Sequence, residues 1–318
     1  MNNLPRLRRS ELTTPGSNPT MLAKAAASAA DVVVIDLEDA VAPRAKNEAR
    51  TNAVAALRDL SWSDKGRAVR INAVETAWCH DDLIAVVSDS VVAPDVIVVP
   101  KVYGPREVWF VDDLITQLER KHGLKPGLIG LEVLIEDVRA LARVEEIAGC
   151  SPRIEALVLG VGDLAASQGM RLGHIGAGSQ YPGDIWHSAR TRMIVAARAA
   201  GIEAIDGPHA DFADLDGFAS TSQTFALLGG SGRWCIHPAQ IDHANRIFAP
   251  TSEEIAEAER VVAEVQRAQA NGEGAASLNG TMIDRATARN FELVLTRASQ
   301  AKRRTPPGQE EPAQREAP

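Results

Sequence analysis

Short apolar runs alternate with amphipathic stretches along most of this chain. The apolar runs have the length and the aliphatic composition of strands that are buried on both faces. There are eight of them, at residues 10–14, 31–37, 67–72, 95–101, 128–136, 156–162, 203–206 and 233–237. Segments that predict helices lie between them, at residues 20–29, 45–57, 106–121, 140–147, 185–200 and 216–228. Eight strand–helix units over roughly 240 residues predict an α/β fold, the (β/α)8 TIM barrel.

A doubly wound α/β sheet would show the same alternation of strands and helices. It would need fewer strands, and no Gly-rich nucleotide-binding turn follows the first apolar run. The barrel is therefore favoured, and we assign residues 1–250 to one catalytic barrel domain. At 318 residues and 45% hydrophobic content, the chain is long enough to bury such a core.

The sequence after the predicted barrel has a different character. Residues 252–268 and 283–298 predict two helices, and the Gly-rich residues 271–280 between them are flexible by composition. We expect residues 251–302 to form a helical extension that serves as a lid or as a subunit contact. Residues 303–318 are rich in Pro, Glu and Arg, and they predict a disordered tail.

The overall charge excludes several classes of function. A formal net charge of −8 argues against a nucleic-acid partner, because binding a phosphate backbone requires clustered Lys and Arg. No apolar run approaches the ~20 residues needed to cross a bilayer, and the N-terminal residues lack the apolar core of a signal peptide. The composition therefore predicts a cytoplasmic enzyme without a membrane or nucleic-acid partner.

Acidic residues follow several of the predicted strands. Asp36, Glu38 and Asp39 follow the second strand, Glu136 ends the fifth, and Asp163 follows the sixth. Because the carboxyl ends of barrel strands meet at one rim, acids from adjacent strands can converge on one ion. We therefore predict Glu136 and Asp163 as metal ligands. Oxygen ligands without His or Cys favour Mg²⁺, or Mn²⁺, over Zn²⁺.

Any single acid in this set has an ordinary alternative role, since an Asp at a strand end commonly caps the following helix. For the set as a whole, a cation site is the better explanation. A substrate with adjacent carboxylate and carbonyl oxygens can displace two waters from Mg²⁺. The acids therefore indicate a 2-oxo acid or a 2-hydroxy acid as a substrate.

Two cationic residues end neighbouring predicted strands. The rigid guanidinium group of Arg70 suits binding a carboxylate or stabilising an enolate or alkoxide. It can also form a salt bridge to the acids after the second strand, and both roles are compatible. Lys101 ends the fourth strand and could instead be the Schiff-base lysine of a barrel aldolase. The acidic set makes the metal-dependent route the preferred one.

Two other segments have ambiguous roles. The turn at residues 14–20 leads into a helix whose first N–H groups can bind a phosphate or carboxylate, although such turns also simply join elements. Asp284 follows the Gly-rich segment, and it either caps a helix or is brought over a site when a lid closes. The spacing does not decide between these roles.

Several longer motifs occur in a fixed order between about residue 4 and residue 298. They are Arg9-Ser10-Glu11-Leu12 with Pro15-Gly16-Ser17-Asn18-Pro19, Asp36-Leu37-Glu38-Asp39-Ala40-Val41-Ala42-Pro43, Arg70-Ile71-Asn72, Pro100-Lys101, Glu132-Val133-Leu134-Ile135-Glu136, Gly162-Asp163, Ile205-Asp206-Gly207-Pro208 and Ile236-His237-Pro238. Together they resemble the malyl-CoA lyase and citrate lyase β-subunit family. Asp211-Phe212-Ala213-Asp214 and Met282-Ile283-Asp284 resemble the malyl-CoA and β-methylmalyl-CoA lyase branch.

The resemblance implies a Mg²⁺-dependent (β/α)8 carbon–carbon lyase that acts on a 3-hydroxyacyl-CoA thioester. Typical reactions release acetyl-CoA or propionyl-CoA and a 2-oxo acid such as glyoxylate. By this resemblance, Glu136 and Asp163 hold the ion and Arg70 steadies the oxyanion. Asp284 reaches over the neighbouring subunit's site and serves as the base in the condensing direction. The resemblance also implies a homo-oligomer, either a trimer or a pair of trimers.

The resemblance assigns supporting roles to two further sets of residues. Glu38 and Asp39 orient the metal-bound water and the catalytic arginine. The residues placed on the side of coenzyme A are Pro15, Ser17, Asn18 and Lys24.

Two departures from the malyl-CoA branch leave the acyl acceptor open. The usual Arg-Ile-Asn-Gly-Leu-Asp-Thr is replaced by Arg70-Ile71-Asn72-Ala73-Val74-Glu75-Thr76. Residues 173–183 form a Gly-rich loop where several malyl-CoA lyases carry a longer insertion. A citramalyl-CoA lyase that releases pyruvate is therefore a rival prediction.

Two other classes of function also stay open. One is a 2-oxo-acid aldolase that acts on free acids without coenzyme A. The other is a citrate lyase β-like subunit that depends on an acyl carrier protein. The extension after Thr251 argues against the carrier-dependent subunit, because it resembles the self-contained lyases.

Overall fold

The eight predicted strands form a closed parallel barrel. The computed structural model describes residues 6–88, 91–172 and 183–302. The barrel strands are β1 (Ser10–Pro15), β2 (Val32–Asp36), β3 (Gly66–Arg70), β4 (Val96–Val99), β5 (Gly130–Ile135), β6 (Ile154–Leu159), β7 (Glu203–Asp206) and β8 (Gly232–Cys235). Each strand pairs in parallel with the next along the chain, and β8 pairs with β1. The predicted (β/α)8 barrel is confirmed.

Helices connect the strands and surround the barrel. They are α1 (Pro19–Ala26), α2 (Lys46–Asp59), α3 (Cys79–Val86), α4 (Pro105–Lys121), α5 (Val138–Ala142), α6 (Val144–Ala148), α7 (Val161–Gln168), α8 (His187–Ala200), α9 (Leu215–Leu227) and α10 (Ile241–Ile247). Three of these helices, α3, α7 and α10, were not predicted. They have only seven or eight residues each, which is too short for a clear helical period.

The apolar core has two layers, one on each face of the barrel wall. In β2, Val32 and Val34 belong to the cluster inside the barrel, whereas Val33 and Ile35 belong to the cluster between the barrel and the helices. All four side chains are fully buried. A strand that is buried on both faces has no polar positions to alternate with, which is why the strands appear as continuous apolar runs.

Several predicted boundaries were wrong by one to three residues, and two of the differences concern the segment 140–147 and the sixth strand. The segment 140–147 forms two short helices because the backbone at Arg143 leaves the helical region, with φ of −121° and ψ of 21°. The sixth strand ends at Leu159 instead of continuing to residue 162. Asp163 consequently lies in the first turn of α7 and not at a strand end. An acid in this position is favoured because it faces the positive end of the helix dipole.

The described part of the chain divides into two compact units between Phe248 and Ala249. The second unit contains α11 (Ser252–Ala270), β9 (Ala275–Leu278), β10 (Thr281–Asp284) and α12 (Arg285–Lys302). A small apolar cluster that includes Val261, Val265, Ile283 and Ala288 packs within this unit.

The prediction of a flexible segment was wrong for residues 275–280. β9 and β10 pair as an antiparallel hairpin, and the turn residues Asn279 and Gly280 have positive φ angles of 51° and 79°. Asn-Gly is the preferred pair for a two-residue hairpin turn that needs positive φ at both positions. The glycine content suggested flexibility, but the order of the two turn residues encodes a defined turn.

Two predicted features lie outside the described residues. They are the tail at 303–318 and, apart from Gly183, the Gly-rich loop at 173–183. Among the helices that the structure describes, none combines the length and the apolar character required to cross a bilayer.

The N-terminal end of the barrel holds a set of charged side chains that we call the floor cluster: Arg6, Arg8, Glu11, Asp95, Glu132 and Glu155. The guanidinium group of Arg8 forms ion pairs with all three glutamates of this cluster. The indole N–H of Trp234 also donates to Glu11 Oε2 at 2.8 Å. Arg8, Glu11 and Glu132 are buried, so the charge of Arg8 is balanced by protein carboxylates and not by water.

Candidate active site

A second set of charged side chains lies at the opposite, C-terminal end of the barrel. We call it the mouth cluster, and its members are Asp36, Glu38, Asp39, Arg70, Lys101, Glu136 and Asp163. The ends of β2 to β5, the loops that follow them and the first turn of α7 carry these residues. The C-terminal face is where barrel enzymes place their active sites.

A buried ion pair joins the ends of β2 and β3. Asp36 and Arg70 are register partners in the parallel ladder, and this pairing brings their side chains together. Arg70 donates from Nε to Asp36 Oδ1 at 2.7 Å and from Nη2 to Asp36 Oδ2 at 2.5 Å. Its Nη1 lies 3.1 Å from Glu38 Oε2. The salt bridge that was an alternative role for Arg70 is therefore present.

The charge of Arg70 is secured by these contacts. Burial by itself would lower the pKa of Arg70, but the nearby carboxylate of Asp36 and its hydrogen bonds raise the pKa above its usual value. The three contacts engage three of the five N–H groups that a guanidinium offers. One N–H group on Nη1 and one on Nη2 are not used by these three contacts.

Asp36 also fixes the acidic loop after β2, a role that the sequence analysis missed. Its carboxylate accepts the backbone N–H groups of Glu38 at 2.8 Å and Ala40 at 3.1 Å. Lys46 supports the same loop, donating to the carbonyl oxygens of Leu37 and Glu38 at 2.8 and 2.7 Å. Asp36 was visible as one acid of a group, but its particular role depends on the strand pairing.

The ammonium group of Lys101 connects acids that come from two different segments. Its Nζ donates to Asp163 Oδ2 at 2.9 Å and to Asp39 Oδ2 at 3.0 Å, and it lies 3.4 Å from Glu38 Oε1. Burial alone would lower the pKa of Lys101, but the surrounding carboxylates raise it above its usual value. A Schiff-base lysine needs a neutral amine to attack a carbonyl, so these contacts count against that alternative.

Glu136 follows β5 and is almost completely buried. Its Oε1 accepts the backbone N–H of Lys101 at 2.7 Å. Burial raises the pKa of Glu136 to about 7, against the lowering effect of this hydrogen bond. Gly160 lies against it, and a Cβ at that position would collide with the Cβ of Glu136. The absence of a side chain at residue 160 therefore makes room for the glutamate, a requirement that the sequence analysis did not identify.

The donor set fits a magnesium ion. Lys101 holds Glu136 with its main chain and Asp163 with its ammonium group, so both predicted ligands lie around one residue. The ammonium group of Lys101 already places a positive charge among the carboxylates. Within residues 6–88, 91–172 and 183–302, no three acidic, His or Cys side chains are arranged to hold a metal by themselves. Mg²⁺ does not need three, because it is commonly bound by one or two carboxylates, waters and substrate oxygens.

The residues predicted for the coenzyme A side divide into two places. Pro15 ends β1, and the turn that follows is joined to β2 by the N–H of Gly16, which donates to Asp36 O at 2.8 Å. Asn18 caps α1 by accepting the N–H of Met21 at 3.0 Å. Ser17 belongs to the same turn. Lys24 is different, since it lies in the last turn of α1, roughly 8 Å along the helix axis from its start.

Asp284 ends β10 in the second unit, and it makes a helix-cap contact. Its Oδ1 accepts the N–H and the hydroxyl group of Thr287 at 2.9 and 3.0 Å. These hydrogen bonds lower the pKa of Asp284. One of its two alternative roles, capping, is thus observed. Its role as a lid acid stays a prediction.

Comparison with known proteins gives a consistent result. Residues 9–238 match the family model described as HpcH/HpaI aldolase/citrate lyase. The chain is 40% identical over 307 residues to the L-malyl-CoA/beta-methylmalyl-CoA lyase of Rhodobacter capsulatus, covering 93% of this chain and 96% of the relative. It is 32% identical to the malyl-CoA/beta-methylmalyl-CoA/citramalyl-CoA lyase of Chloroflexus aurantiacus, over 87% of this chain and 83% of that protein.

Solved structures agree with this assignment. The protein CitE of Mycobacterium tuberculosis, solved with magnesium, acetoacetate and coenzyme A, superposes with a TM-score of 0.72 at 31% identity. The match covers 91% of this chain and 97% of that one. A citrate lyase from Burkholderia xenovorans has a TM-score of 0.81 at 23% identity, with 96% of both chains covered, and supports the fold alone.

Proposed function

Because the chain belongs to the HpcH/HpaI aldolase/citrate lyase family and is a carbon–carbon lyase, we propose that it cleaves a 3-hydroxyacyl-CoA thioester with magnesium. The proposed substrates are malyl-CoA and β-methylmalyl-CoA, and the products are acetyl-CoA or propionyl-CoA and glyoxylate. The observation that carries the proposal is the mouth cluster, in which Lys101 contacts both Glu136 and Asp163 and the charge of Glu136 acts on the guanidinium group of Arg70, which Asp36 fixes. The 40% identity to a malyl-CoA lyase supports the choice of substrates.

The charge distribution of the mouth cluster suits a retro-aldol type of cleavage. The hydroxyl group would give its proton to water as the carbon–carbon bond breaks, and the electron pair of that bond would pass into the thioester enolate. Protonated Asp284 would then give a proton to the enolate carbon, which is the reverse of its role as the base in the condensing direction. Bound Mg²⁺ would supply Lewis-acid polarisation of the oxygens of the 2-oxo acid. The free N–H groups of Arg70 would stabilise the second oxygen on which negative charge develops. Glu38, which contacts Arg70, would keep the guanidinium group in position.

A thioester panel tests the proposal directly. Purified protein is treated with a chelator, and malyl-CoA, β-methylmalyl-CoA and citramalyl-CoA are then supplied with and without Mg²⁺. We expect Mg²⁺-dependent release of glyoxylate from the first two esters. If none of the three esters is cleaved under any condition, the proposed function is wrong.

Citramalyl-CoA is included because one relative specifically supports it. The Chloroflexus aurantiacus relative is named for citramalyl-CoA beside the other two substrates. Preferential release of pyruvate from citramalyl-CoA would make this second candidate the main activity. Turnover of carrier-bound thioesters only would instead favour a citrate lyase β-like subunit, for which the Leuconostoc mesenteroides relative at 33% identity is the support.

The proposed proton transfer by Asp284 needs a variant that separates chemistry from helix capping. Asp284→Asn keeps a side-chain oxygen that can accept the Thr287 N–H, whereas Asp284→Ala removes both the cap and the carboxylate. Loss of a general acid or base costs about 10²- to 10⁴-fold in rate, and we expect both variants to show it. If Asp284→Asn keeps full activity in both directions, Asp284 has no proton-transfer role.

A further inference from the structure

Lys101 has an unusual backbone conformation for a residue with a side chain. It directly follows β4 and Pro100, and its φ angle of 51° lies in the left-handed region. This region is disfavoured for residues with a Cβ, and such residues persist where surrounding contacts determine them. The conformation of Lys101 is therefore determined by its contacts with the residues around it.

The conformation directs two different groups of one residue to the two candidate metal ligands. The main-chain N–H of Lys101 donates to Glu136 Oε1 at 2.7 Å, and its Nζ donates to Asp163 Oδ2 at 2.9 Å. The two acids come from β5 and α7, and they are 27 positions apart in the sequence. Lys101 thus contacts both candidate ligands, one through its main chain and the other through its side chain.

The charges around Lys101 show why an ammonium group is placed there. Asp163, Asp39 and Glu38 each have an oxygen within 3.4 Å of its Nζ. Carboxylates that gather around a single point repel one another strongly unless a cation lies between them. Arg70 is committed to Asp36 and Glu38, and is buried.

The two cations of the mouth cluster also differ in their freedom to move. Arg70 has a rigid fork with two bonds to one carboxylate. Lys101 carries a point charge on a flexible stem, and its side chain is 27% exposed. Asp163, its partner, is 46% exposed. The ammonium group can therefore leave its position without disturbing the barrel wall.

We propose that Lys101 is a built-in counter-ion that holds the place of the metal, so that its ammonium group is displaced from Asp163 when Mg²⁺ binds while its main-chain N–H stays on Glu136. The inference rests on the proposed magnesium-dependent function. Lys101 is then a positioning residue that keeps the ligands in place before the ion arrives. Lys101 also sets the affinity of the site for Mg²⁺, because the ion must compete with the ammonium group of Lys101.

The test is to measure Mg²⁺ affinity directly rather than through activity. Isothermal titration calorimetry of the chelator-treated full chain would compare wild type with Lys101→Met, which keeps a side chain of similar length and the backbone N–H. Removing a competing charge a few ångströms from the ion is expected to tighten Mg²⁺ binding by about tenfold or more. Lys101→Arg, which keeps the charge, is expected to bind no more tightly than wild type.

A second experiment measures the thermal unfolding of the protein without Mg²⁺. Without Mg²⁺, Lys101→Met should unfold at a lower temperature than wild type, because Asp163, Asp39 and Glu38 lose their shared cation. With saturating Mg²⁺ the difference should shrink. Lys121→Met is the matched control, since it removes one positive charge from the exposed C-terminal residue of α4. It should leave both the affinity and the Mg²⁺-dependent stabilisation unchanged.

The results separate this inference from the proposed function. If Lys101→Met binds Mg²⁺ with the same or a lower affinity than wild type, or if neither protein binds it, the inference is wrong. If Lys101→Met does not fold without metal, Lys101→Gln is titrated in its place and the same criteria apply. A wild type that binds Mg²⁺ but cleaves no thioester would refute the function and leave the affinity comparison to decide the role of Lys101.

Discussion

The two ends of the barrel both carry clusters of charged residues, but the clusters differ in access to solvent. In the floor cluster, Arg8, Glu11 and Glu132 are buried and contact one another. In the mouth cluster, Asp163 and Asp39 have about half of their side-chain surface exposed. The buried side chains of the floor cluster meet protein groups, whereas the mouth cluster has carboxylate oxygens that a ligand can reach.

This difference separates a structural role from a functional one. A buried ion pair adds little net stability compared with an apolar replacement, but removing one partner leaves an uncompensated charge and is strongly destabilising. The floor should therefore respond to mutation in its folding. The mouth should respond in its chemistry and metal binding, as expected from the division of labour between the two faces of barrel enzymes.

Removing the central cation of the floor should have the largest effect. Arg8→Met leaves Glu132 buried without its counter-ion, and we expect the free energy of unfolding to fall by about 3–5 kcal/mol. Urea denaturation would measure it. Arg6→Met is the control, because Arg6 is a third exposed and its loss should cost less than about 1 kcal/mol. Equal effects of the two substitutions would contradict the role of Arg8 as the central cation of the floor cluster.

The corresponding change at the mouth is Arg70→Lys. An ammonium group keeps the charge but cannot bond both oxygens of Asp36 and also reach Glu38, so oxyanion stabilisation should weaken. We expect kcat on the preferred thioester to fall about 10²- to 10³-fold. Arg50→Lys, at an Arg–Asp pair between α2 and α3, is the matched control and should keep its rate. An unchanged kcat for Arg70→Lys would remove Arg70 from the chemistry.

The floor should also make stability depend on pH. Burial raises the pKa of Glu11 to about 7 from an ordinary value of 4.5, so the folded protein holds a proton that the unfolded chain releases. This contribution is complete below pH 4.5 and is lost as the pH rises through 7. It amounts to about 3 kcal/mol.

Glu11→Gln isolates that contribution from other titrating groups. The variant keeps a neutral side chain beside Trp234 and cannot lose a proton. Urea unfolding at pH 5 and pH 8 should therefore show the variant gaining about 2–3 kcal/mol relative to wild type between the two pH values. A difference that is the same at both pH values would show that Glu11 does not titrate in this range.

The smallest expected effect concerns the packing of a metal ligand. Gly160→Ala places a methyl group against Glu136, and such overpacking costs about 1–3 kcal/mol. We expect weaker Mg²⁺ binding by calorimetry together with a modest loss of stability. Gly149→Ala is the control, because the nearest atom to its added Cβ is at 3.9 Å. If the two variants bind Mg²⁺ equally well, the close approach at residue 160 has no role in the site.

The C-terminal unit illustrates how local sequence can mislead. Residues 271–280 contain three glycines, and that content predicted a flexible connection. The structure instead has a hairpin turn at Asn279 and Gly280. The information was present in the order of the two residues, and the error came from weighing composition above turn chemistry.

The sequence by itself determined the barrel and most of the acids at its mouth. Strands buried on both faces require continuous apolar runs. Such a run consists of consecutive residues, so it can be recognised in the sequence without the structure. Glu136 could therefore be placed at a strand end, and Arg70 at the end of the strand that carries it, from local pattern alone. The family motifs contributed the predicted roles, because they connect residues whose proximity a local pattern does not show.

Only the tertiary structure decided which charges meet. The paired residues are far apart in the sequence: Arg70 and Asp36 by 34 positions, Lys101 and Asp163 by 62, and Arg8 and Glu155 by 147. These partners come together through strand register and barrel closure, which depend on the packing of the whole domain. Hydrophobic periodicity is a local property of the chain, whereas the neutralisation of a buried charge depends on residues that the fold brings together from distant segments.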